Sequence, residues 1–424
     1  MVEIISRFMQ TIKNKKIKAS LLLLWLCWLV YACSYIGKVN YAANINQMMT
    51  FYAVDHSSAG LVSTFFFFAY AIGQVINGVL CKKYNLKWFI FGSLIVSGTV
   101  NFIVAITSSF TLIKFLWLLN GFSMSILWPC LIRLLSETLN KKDMAKASVI
   151  MGTTVATGTF FVYVLSALFV KINFKMSFYL PAGIFLAVAI FWVFSFSVLV
   201  NKVKTETSME TEQTQQTQMI ENNNTGSQNG LLLMLVMLAF YGVATNLIKD
   251  GLTTWVPSIL KEEYQLDSSI SIILTLALPI VAIFANAFGV KMHTKIKDFV
   301  LQCATMFFFA GIIIGGVICG MSLNLFWITL VGFTVVCFLV SSCNSVITSI
   351  FPLFMRGKVN SGRIAGVLNG FCYLGSTISS YGLGIVADYF GWLAVFWVLL
   401  SVCVLVCLGA VIYVGVKKIK NKNE

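Results

Sequence analysis

Charged side chains are scarce in this sequence. Lys, Arg, Asp and Glu make up 11% of the 424 residues, whereas hydrophobic residues make up 58% and the mean hydropathy is +0.88. An ordinary soluble domain is about one quarter charged, so the composition excludes one. It predicts an all-α membrane protein, because a hydrocarbon environment accepts this much apolar surface.

Side chains that relay protons are scarce as well. The chain has two histidines, His56 and His293, and both are expected in loops. Among the acidic residues, Asp250 is expected inside a span and Glu137 at the end of one, while the others fall in loops, termini or a linker. Proton-driven pumps usually carry acidic or histidine relays in their spans. This scarcity counts weakly against proton coupling.

Motifs for enzymes and ATP-driven pumps are missing. The sequence contains no Walker loop, no dinucleotide fingerprint and no G-x-S-x-G motif. The eleven cysteines form no cluster with ligand spacing, so we expect free thiols that behave as small hydrophobic residues. We therefore predict that the protein is not an enzyme and has no cofactor and no metal site.

Long apolar stretches fill most of the chain. A membrane span needs about 20 mainly apolar residues, and twelve such stretches occur, which predicts twelve transmembrane helices in two groups of six. They cover about residues 20–50, 58–80, 88–108, 111–136, 147–170, 177–200, 231–257, 268–290, 299–320, 323–351, 362–387 and 392–416.

A polar segment separates the two groups. The stretch from Lys202 to Gly230 is rich in Gln, Thr, Asn and Glu, which is typical of a flexible linker. We predict an N-terminal six-helix bundle over residues 1–201, a cytoplasmic linker over 202–230 and a C-terminal six-helix bundle over 231–424. The basic start of the chain precedes a helix longer than a signal-peptide core, so we expect the first helix to remain uncleaved.

The cations indicate an orientation. If the amino terminus is cytoplasmic, 23 of the 30 Lys and Arg residues lie in inner segments, and Lys114, Lys171, Lys175 and Lys261 lie in outer ones. This positive-inside bias predicts that both termini and the linker are cytoplasmic, in the plasma or inner membrane of the cell. The net charge of +15 then indicates contact with anionic membrane lipids rather than with nucleic acid.

Three cations remain in or near the spans: Lys38, Arg133 and Lys249. A charge at the bilayer centre costs about 2.5 to 3.5 kcal/mol on insertion scales. Lys38 and Lys249 occupy similar places in the two halves, so we predict a positively charged cavity between them. For Lys249 an alternative stays open, because it could reach water near an outer interface marked by Trp255, or pair with Asp250.

The helix faces around these lysines carry tyrosine, hydroxyl and amide groups at helical spacing. For the tyrosines, packing or an interfacial belt is the alternative to ligand binding, and the TFFFF run at residues 64–68 is expected to face lipid or to be packed. The candidate substrate-binding residues from these faces are Lys38, Lys249, Tyr31, Tyr35, Tyr41, Tyr70, Gln74, Tyr241, Thr245 and Asn246.

Five runs of the sequence carry a family resemblance. They are YIGKVNYAANI, AYAIGQVINGVL, LNGFSMSILWPCLIR, IKDGLTTWVPSILKE and AGVLNGFCYLGSTISSYGLGIVADYFGW. The most specific pieces are Trp128-Pro129 followed by Arg133, the Trp255-x-Pro257 turn and the DYFGW sequence at residues 388–392. These runs resemble the organophosphate:phosphate antiporters of the major facilitator superfamily. The resemblance implies the major facilitator fold of two six-helix bundles.

The resemblance also implies a phosphate site. Two arginines of the family, on the first and seventh helices, match Lys38 and Lys249, and a tyrosine on the eleventh matches Tyr373, which joins the candidate residues. Gln74 and Thr254 replace a lysine and an aspartate of the family. Because lysine is a point charge where arginine is a fork, phosphate binding would be geometrically looser, which weakens any transfer of substrate.

Together these observations predict a secondary active transporter. It would move an organic anion, a phosphorylated small metabolite, in exchange for inorganic phosphate by alternating access. Three alternatives stay open: a proton-coupled symporter, a facilitator of another organic anion, and a metabolite sensor that does not transport. The expected partners are a small anionic substrate, inorganic phosphate as counter-substrate and membrane lipids.

Overall fold

The computed structural model describes residues 19–139, 147, 150–211, 228–355 and 361–423. Within these ranges the chain is helical and contains no strand. The segment before Ala19 and residues 212–227 of the expected linker lie outside the described residues. The helix that ends the first half continues to Thr211, past Lys202, where the linker was expected to begin.

The described residues form eight helices in the first half and seven in the second. A short 3-10 turn at Cys81–Lys83 joins the third and fourth of them. Those of the first half are α1 (Ala19–Ala43), α2 (Ile45–Tyr52), α3 (His56–Leu80), α4 (Leu86–Ile106), α5 (Phe110–Met124), α6 (Leu127–Thr138), α7 (Thr154–Phe169) and α8 (Met176–Thr211).

Seven helices follow in the second half. A π-helical turn at Val346–Ile350 joins α13 to α14. They are α9 (Gln228–Glu263), α10 (Ser268–Thr275), α11 (Ala277–Lys295), α12 (Phe299–Ser322), α13 (Phe326–Ser345), α14 (Phe351–Phe354) and α15 (Ser361–Asn423).

The predicted set of twelve membrane crossings is confirmed. Eleven apolar helical segments of the described chain are long enough to cross a membrane. The last of them, within α15, contains two crossings, because Gly391 has φ 77° and ψ 172° and interrupts the helix. A positive φ of this size suits glycine, which has no Cβ to clash with the backbone. The sequence placed the same boundary between residues 387 and 392.

Aspartates set the starts of several helices. The Asp55 side chain accepts a hydrogen bond of 2.7 Å from the Ser58 backbone N–H at the start of α3, and Asp298 accepts from Val300 and Leu301 at the start of α12. Such caps satisfy N–H groups that have no partner within the helix. The hydrogen bonds from Ser58 hold the pKa of the Asp55 carboxyl below its ordinary value.

The two halves meet along several helices. In the first half α1 packs on α7 and α8, and in the second half α9 packs on α15. α3 packs along α15, which joins the halves. Large apolar side chains such as Phe194 and Trp327 are more than two thirds exposed on the outside of the bundle, which is typical of a surface that contacts lipid. The inner faces of α1, α3, α9 and α15 are left to form the site.

The sequence interpretation of both histidines is wrong. His56 and His293 do not lie in loops, since His56 is the first residue of α3 and His293 lies buried in the last turn of α11. His293 Nδ1 is 3.1 Å from Oε1 of Gln302. Trp255 is buried, and α9 continues beyond it to Glu263.

Candidate functional site

Lys38 lies in a cage of aromatic rings where the halves meet. Its ammonium nitrogen Nζ is 4.3 Å from the ring centroid of Tyr70 and 4.9 Å from those of Tyr35 and Tyr373. Nζ also donates a hydrogen bond of 3.3 Å to the Tyr373 hydroxyl. Ring faces within about 6 Å attract a cation without neutralising it. This bond connects α1 of the first half to α15 of the second.

Two phenylalanines complete what we call the lysine cage, formed by Tyr35, Phe66, Phe67, Tyr70 and Tyr373. The ring centroids of Phe66 and Phe67 are 5.6 and 5.9 Å from Lys38 Nζ. The TFFFF run is therefore divided, since Phe66 is buried beside the cation while Phe68 is exposed. The spacing of Phe66 four residues before Tyr70 is the signal that could have identified it.

An aromatic wall extends the cage along α1. The hydroxyl oxygens of Tyr31 and Tyr70 are 3.5 Å apart. The Tyr31 ring packs edge-on against Tyr35, with centroids 5.6 Å apart, and against Trp128, with centroids 4.7 Å apart. The structure therefore brings together Tyr31, Tyr35 and Lys38, the three residues that the helical spacing placed on one face.

Lys249 forms an ion pair with its neighbour in sequence. Lys249 Nζ is 3.4 Å from Oδ1 of Asp250, and the two side chains are 24% and 15% exposed. The Ser376 hydroxyl donates a hydrogen bond to Oδ2 of Asp250, which connects α9 to α15. Of the two alternatives open for Lys249, the structure contains the pair with Asp250.

Amide groups continue this arrangement. Asn246 Nδ2 donates to the Ser376 hydroxyl at 3.1 Å, and Asn344 Nδ2 donates to Oδ1 of Asn246 at 2.7 Å. We call Lys249, Asp250, Asn246, Asn344 and Ser376 the Asp250 network. The Thr245 hydroxyl, one turn before Lys249, is buried and has no hydrogen-bond partner among the described residues.

The lysine cage and the Asp250 network are adjacent along α15. Lys38 donates to the Tyr373 hydroxyl, and Ser376, one turn later on the same helix, donates to Asp250 beside Lys249. Coulomb interactions are several times stronger inside a protein than in water. Counted by their ordinary charges, the two lysines and one carboxylate contribute a formal charge of +1.

Two candidate tyrosines lie away from the site. The Tyr41 hydroxyl donates to the backbone carbonyl of Ala59 at 3.0 Å, inside the first half. The Tyr241 hydroxyl donates to the carbonyl of Val406 at 3.1 Å, inside the second half. Both side chains are fully buried. Their hydroxyls are occupied by backbone carbonyls, and the structure does not bring them to Lys38 or Lys249.

Gln74 lies one turn from Tyr70 on α3, but its amide is already engaged. Its Nε2 donates a hydrogen bond of 3.1 Å to the backbone carbonyl of Ser125, where α5 ends and α6 begins. The side chain is 5% exposed. Gln74 therefore supports the helix that carries Tyr70 by anchoring it to the neighbouring helix.

A second polar cluster joins the halves at the start of α3. His56 Nδ1 is 2.6 Å from Oδ1 of Asp388, and His56 Nε2 is 2.9 Å from Oε1 of Glu262. The Trp392 indole donates to Oε2 of Glu262 at 2.8 Å. The backbone N–H groups of His56 and Ser57 both donate to Asp388. We call His56, Glu262, Asp388 and Trp392 the His56 cluster.

The sequence interpretation missed the His56 cluster, although Asp388 and Trp392 belong to the DYFGW sequence that carried the resemblance. Close packing accompanies it, since a Cβ added to Gly384 would lie 2.8 Å from the carbonyl oxygen of His56. Further hydrogen bonds join the halves: Asn46 with Ser258, Thr64 with the carbonyl of Thr377, Tyr163 with that of Thr253, and Ser269 with that of Ala167.

Arg133, the third cation, has a structural environment. Its Nε is 2.6 Å from Oε1 of Glu137, one turn later on α6. Its Nη1 donates to the backbone carbonyls of Cys81 and Tyr84, in the turn between α3 and α4. These contacts occupy the guanidinium, so Arg133 holds a turn and the site cations are Lys38 and Lys249.

Comparisons with known proteins agree with this architecture. A family model described as Major Facilitator Superfamily matches residues 27–361. The chain is 20% identical to "Sugar phosphate exchanger 3" of Homo sapiens over 398 residues, which cover 83% of this chain and 79% of that protein. It is 25% identical to "Membrane sensor protein UhpC" of Escherichia coli over 116 residues, 27% of this chain, and that match spans only 26% of the relative.

A solved structure shows the same fold. It is a bacterial homolog of the human lysosomal transporter Spinster in an inward-facing and occupied conformation. Its TM-score with this chain is 0.69 at 12% identity, and the alignment covers 96% of this chain and 98% of that chain.

Proposed function

Because this chain belongs to the major facilitator superfamily, we propose that it exchanges a phosphorylated small organic anion for inorganic phosphate across the cell membrane by alternating access. The chain is a multi-pass membrane transporter by family and fold. The matches to the sugar phosphate exchanger and to UhpC confirm its resemblance to the organophosphate:phosphate antiporters.

One observation carries the proposal: each half places a lysine against α15 at their junction, because Lys38 bonds to Tyr373, and Ser376, one turn later, bonds to Asp250 beside Lys249. Among the described residues Lys38 forms no ion pair, and its contacts are aromatic rings and one hydroxyl. Because rings do not neutralise the ammonium, its charge is available to an anionic ligand. A second lysine nearby suits the spread charge of a phosphate group.

The transport cycle follows from the position of the contacts between the halves. We propose bundles over residues 1–201 and 231–424, joined by a linker over 202–230, with a cytoplasmic amino terminus. The His56 cluster then lies at the outer end, where it and the other hydrogen bonds across the junction hold the halves together. This arrangement corresponds to a transporter closed outside and able to release its ligand inward.

A second candidate function is proton-coupled symport of an organic anion. Asp250 favours it, since this carboxylate lies in a span beside Lys249 and intramembrane carboxylates often carry protons. In that case the pH gradient alone would drive uptake. A counter-substrate would be unnecessary.

Reconstituted vesicles separate the two. We expect phosphate loaded inside the vesicles to accelerate uptake of labelled glucose 6-phosphate, while vesicles loaded with sulfate and given a pH gradient show little uptake. Lys38→Ala should abolish the phosphate-dependent part. Lys171→Ala, at an exposed lysine in the turn after α7, is the matched control and should retain it. Uptake at the same rate with and without phosphate inside the vesicles would overturn the exchange function.

A further inference from the structure

Asp250 places a negative charge inside a site that is otherwise built for anions. Its carboxylate accepts a hydrogen bond from the Ser376 hydroxyl and lies 3.4 Å from Lys249 Nζ. Asn246 and Asn344 hold Ser376 in turn. With 15% exposure, the carboxylate is fixed in the site and cannot turn away into bulk water when a ligand enters.

The charge balance of the site limits what it can hold. Lys38, Lys249 and Asp250 sum to +1, while the acidic groups of the His56 cluster and of the Arg133 pair have partners of their own. A phosphomonoester carries about −1.5 to −2 at pH 7. Two lysines alone would balance it, but with Asp250 present about one negative charge would stay uncompensated in a low dielectric.

We propose that Asp250 selects phosphomonoesters that also carry an ammonium group, so that the ligand has a net charge near −1. The phosphate contacts Lys38 and Lys249, and the ammonium of the ligand takes the place of Lys249 at Asp250. The Lys249–Asp250 ion pair is replaced by a pair between the ligand ammonium and Asp250 and by pairs between the phosphate and the lysines. Every charge then has a partner of opposite sign. This inference rests on the proposed function, because it concerns the same site.

The Ser376 hydroxyl supports this role. Its hydrogen bond to Asp250 connects α15 to α9, and Asn246 positions Ser376 at 3.1 Å. The network therefore presents a carboxylate acceptor 3.4 Å from Lys249 Nζ. A cationic group of the ligand can use that acceptor while the phosphate contacts the lysines.

The test compares two probes that differ by one group. Glucose 6-phosphate and glucosamine 6-phosphate carry a hydroxyl and an ammonium at the same carbon. Their binding to the purified protein is measured by tryptophan fluorescence, and their inhibition of labelled phosphate exchange is measured in vesicles. We expect the wild type to prefer glucosamine 6-phosphate by roughly tenfold or more, a size expected for one additional buried charge pair.

Asp250→Asn should reverse or abolish this preference, and Asp267→Asn, at the cap of α10, is the matched control that should keep it. Asp250→Ser supplies the same comparison if the amide variant does not fold. An equal preference in the wild type and in both Asp250 variants, or a wild type that prefers glucose 6-phosphate, overturns the charge selection.

The two proposals fail in different ways. If the wild type exchanges phosphate but Asp250→Asn leaves the ratio of the two probes unchanged, the selection by Asp250 is wrong and the exchange function stands. If the wild type binds the aminated probe through Asp250 but does not exchange phosphate, the exchange function is wrong and the selection stands. A folded protein that binds neither probe overturns both.

Discussion

Nδ1 of His56 lies 2.6 Å from Oδ1 of Asp388, which connects the first turn of α3 to the segment just before the break in α15. The same carboxylate accepts the backbone N–H groups of His56 and Ser57. One aspartate of the second half therefore caps a helix of the first half. A contact of this kind must be released whenever the halves separate at that end.

Removing this contact should open the outer end. Asp388→Asn weakens hydrogen bonds to a charged acceptor, each of which contributes about 1.5 to 3 kcal/mol, so we expect roughly a tenfold or larger shift toward the outward-open state. A Ser380→Cys reporter, at a serine buried between α15 and α3, should react faster with a maleimide that does not cross membranes. An unchanged rate would show that other contacts keep the end closed.

The same reporter should respond to pH. An imidazole donates through both nitrogens only when it is doubly protonated, and His56 faces the carboxylates of Asp388 and Glu262 together with the indoles of Trp255 and Trp392. Raising the pH from about 5.5 to about 8 removes one donor, so labelling at Ser380→Cys should increase. In the His56→Gln background this increase should disappear, apart from the ordinary pH dependence of the thiol.

The lysine cage predicts that the candidate tyrosine hydroxyls differ in their effect on ligand affinity. Tyr373→Phe removes the hydrogen bond to Lys38 but keeps the ring, so we expect the Kd for a phosphorylated probe to rise by about fivefold, equivalent to about 1 kcal/mol. Tyr41→Phe and Tyr241→Phe remove hydroxyls that donate to backbone carbonyls elsewhere. These two controls should leave the Kd unchanged. Fluorescence titration of the purified variants measures the three Kd values.

A pH dependence of stability is expected at the start of α12. Partial burial raises the pKa of Asp298, but hydrogen bonds from Lys417 at 2.7 Å and from Leu301 outweigh it and hold this pKa below the ordinary value of 3.8. The carboxylate therefore stabilises the fold at neutral pH, and this contribution is lost as the pH falls through the lowered pKa.

Asp298→Asn keeps a residue that can cap the helix and removes the charge. We expect its Tm in detergent to fall by about 1 to 3 °C at pH 7, with the difference from the wild type shrinking as the pH falls below 3.8 and through the lowered pKa of Asp298. A difference of constant size across this range would assign the effect to the cap alone.

The sequence predicted the helical face of the site because helical spacing determines which side chains share a face. Tyr35 and Lys38 illustrate this, and the adjacent position of Lys249 and Asp250 already indicated their pairing. Spacing does not determine the neighbour on the other helix. Tyr41 and Tyr241 were therefore included, although each donates to a carbonyl of its own half.

Contacts between distant segments could not be predicted in this way. His56, Glu262 and Asp388 belong to three different helices, and no periodicity within any one of them indicates that they meet. The division of the TFFFF run has the same cause, since Phe66 packs against Trp117 of α5 and beside Lys38 of α1, whereas Phe68 is exposed. The break at Gly391 was predicted correctly because a boundary between two apolar stretches is a local property.

Gly391 has a mechanical consequence. It interrupts α15 without a connecting loop, and the residues on either side of it, Asp388 and Trp392, are both bonded into the His56 cluster. Motion of one arm of α15 should therefore move the other arm, because no flexible loop separates them. The last two crossings should move together as one rigid unit. Breaking the contacts of His56 would then displace the part of α15 that carries Tyr373 and Ser376.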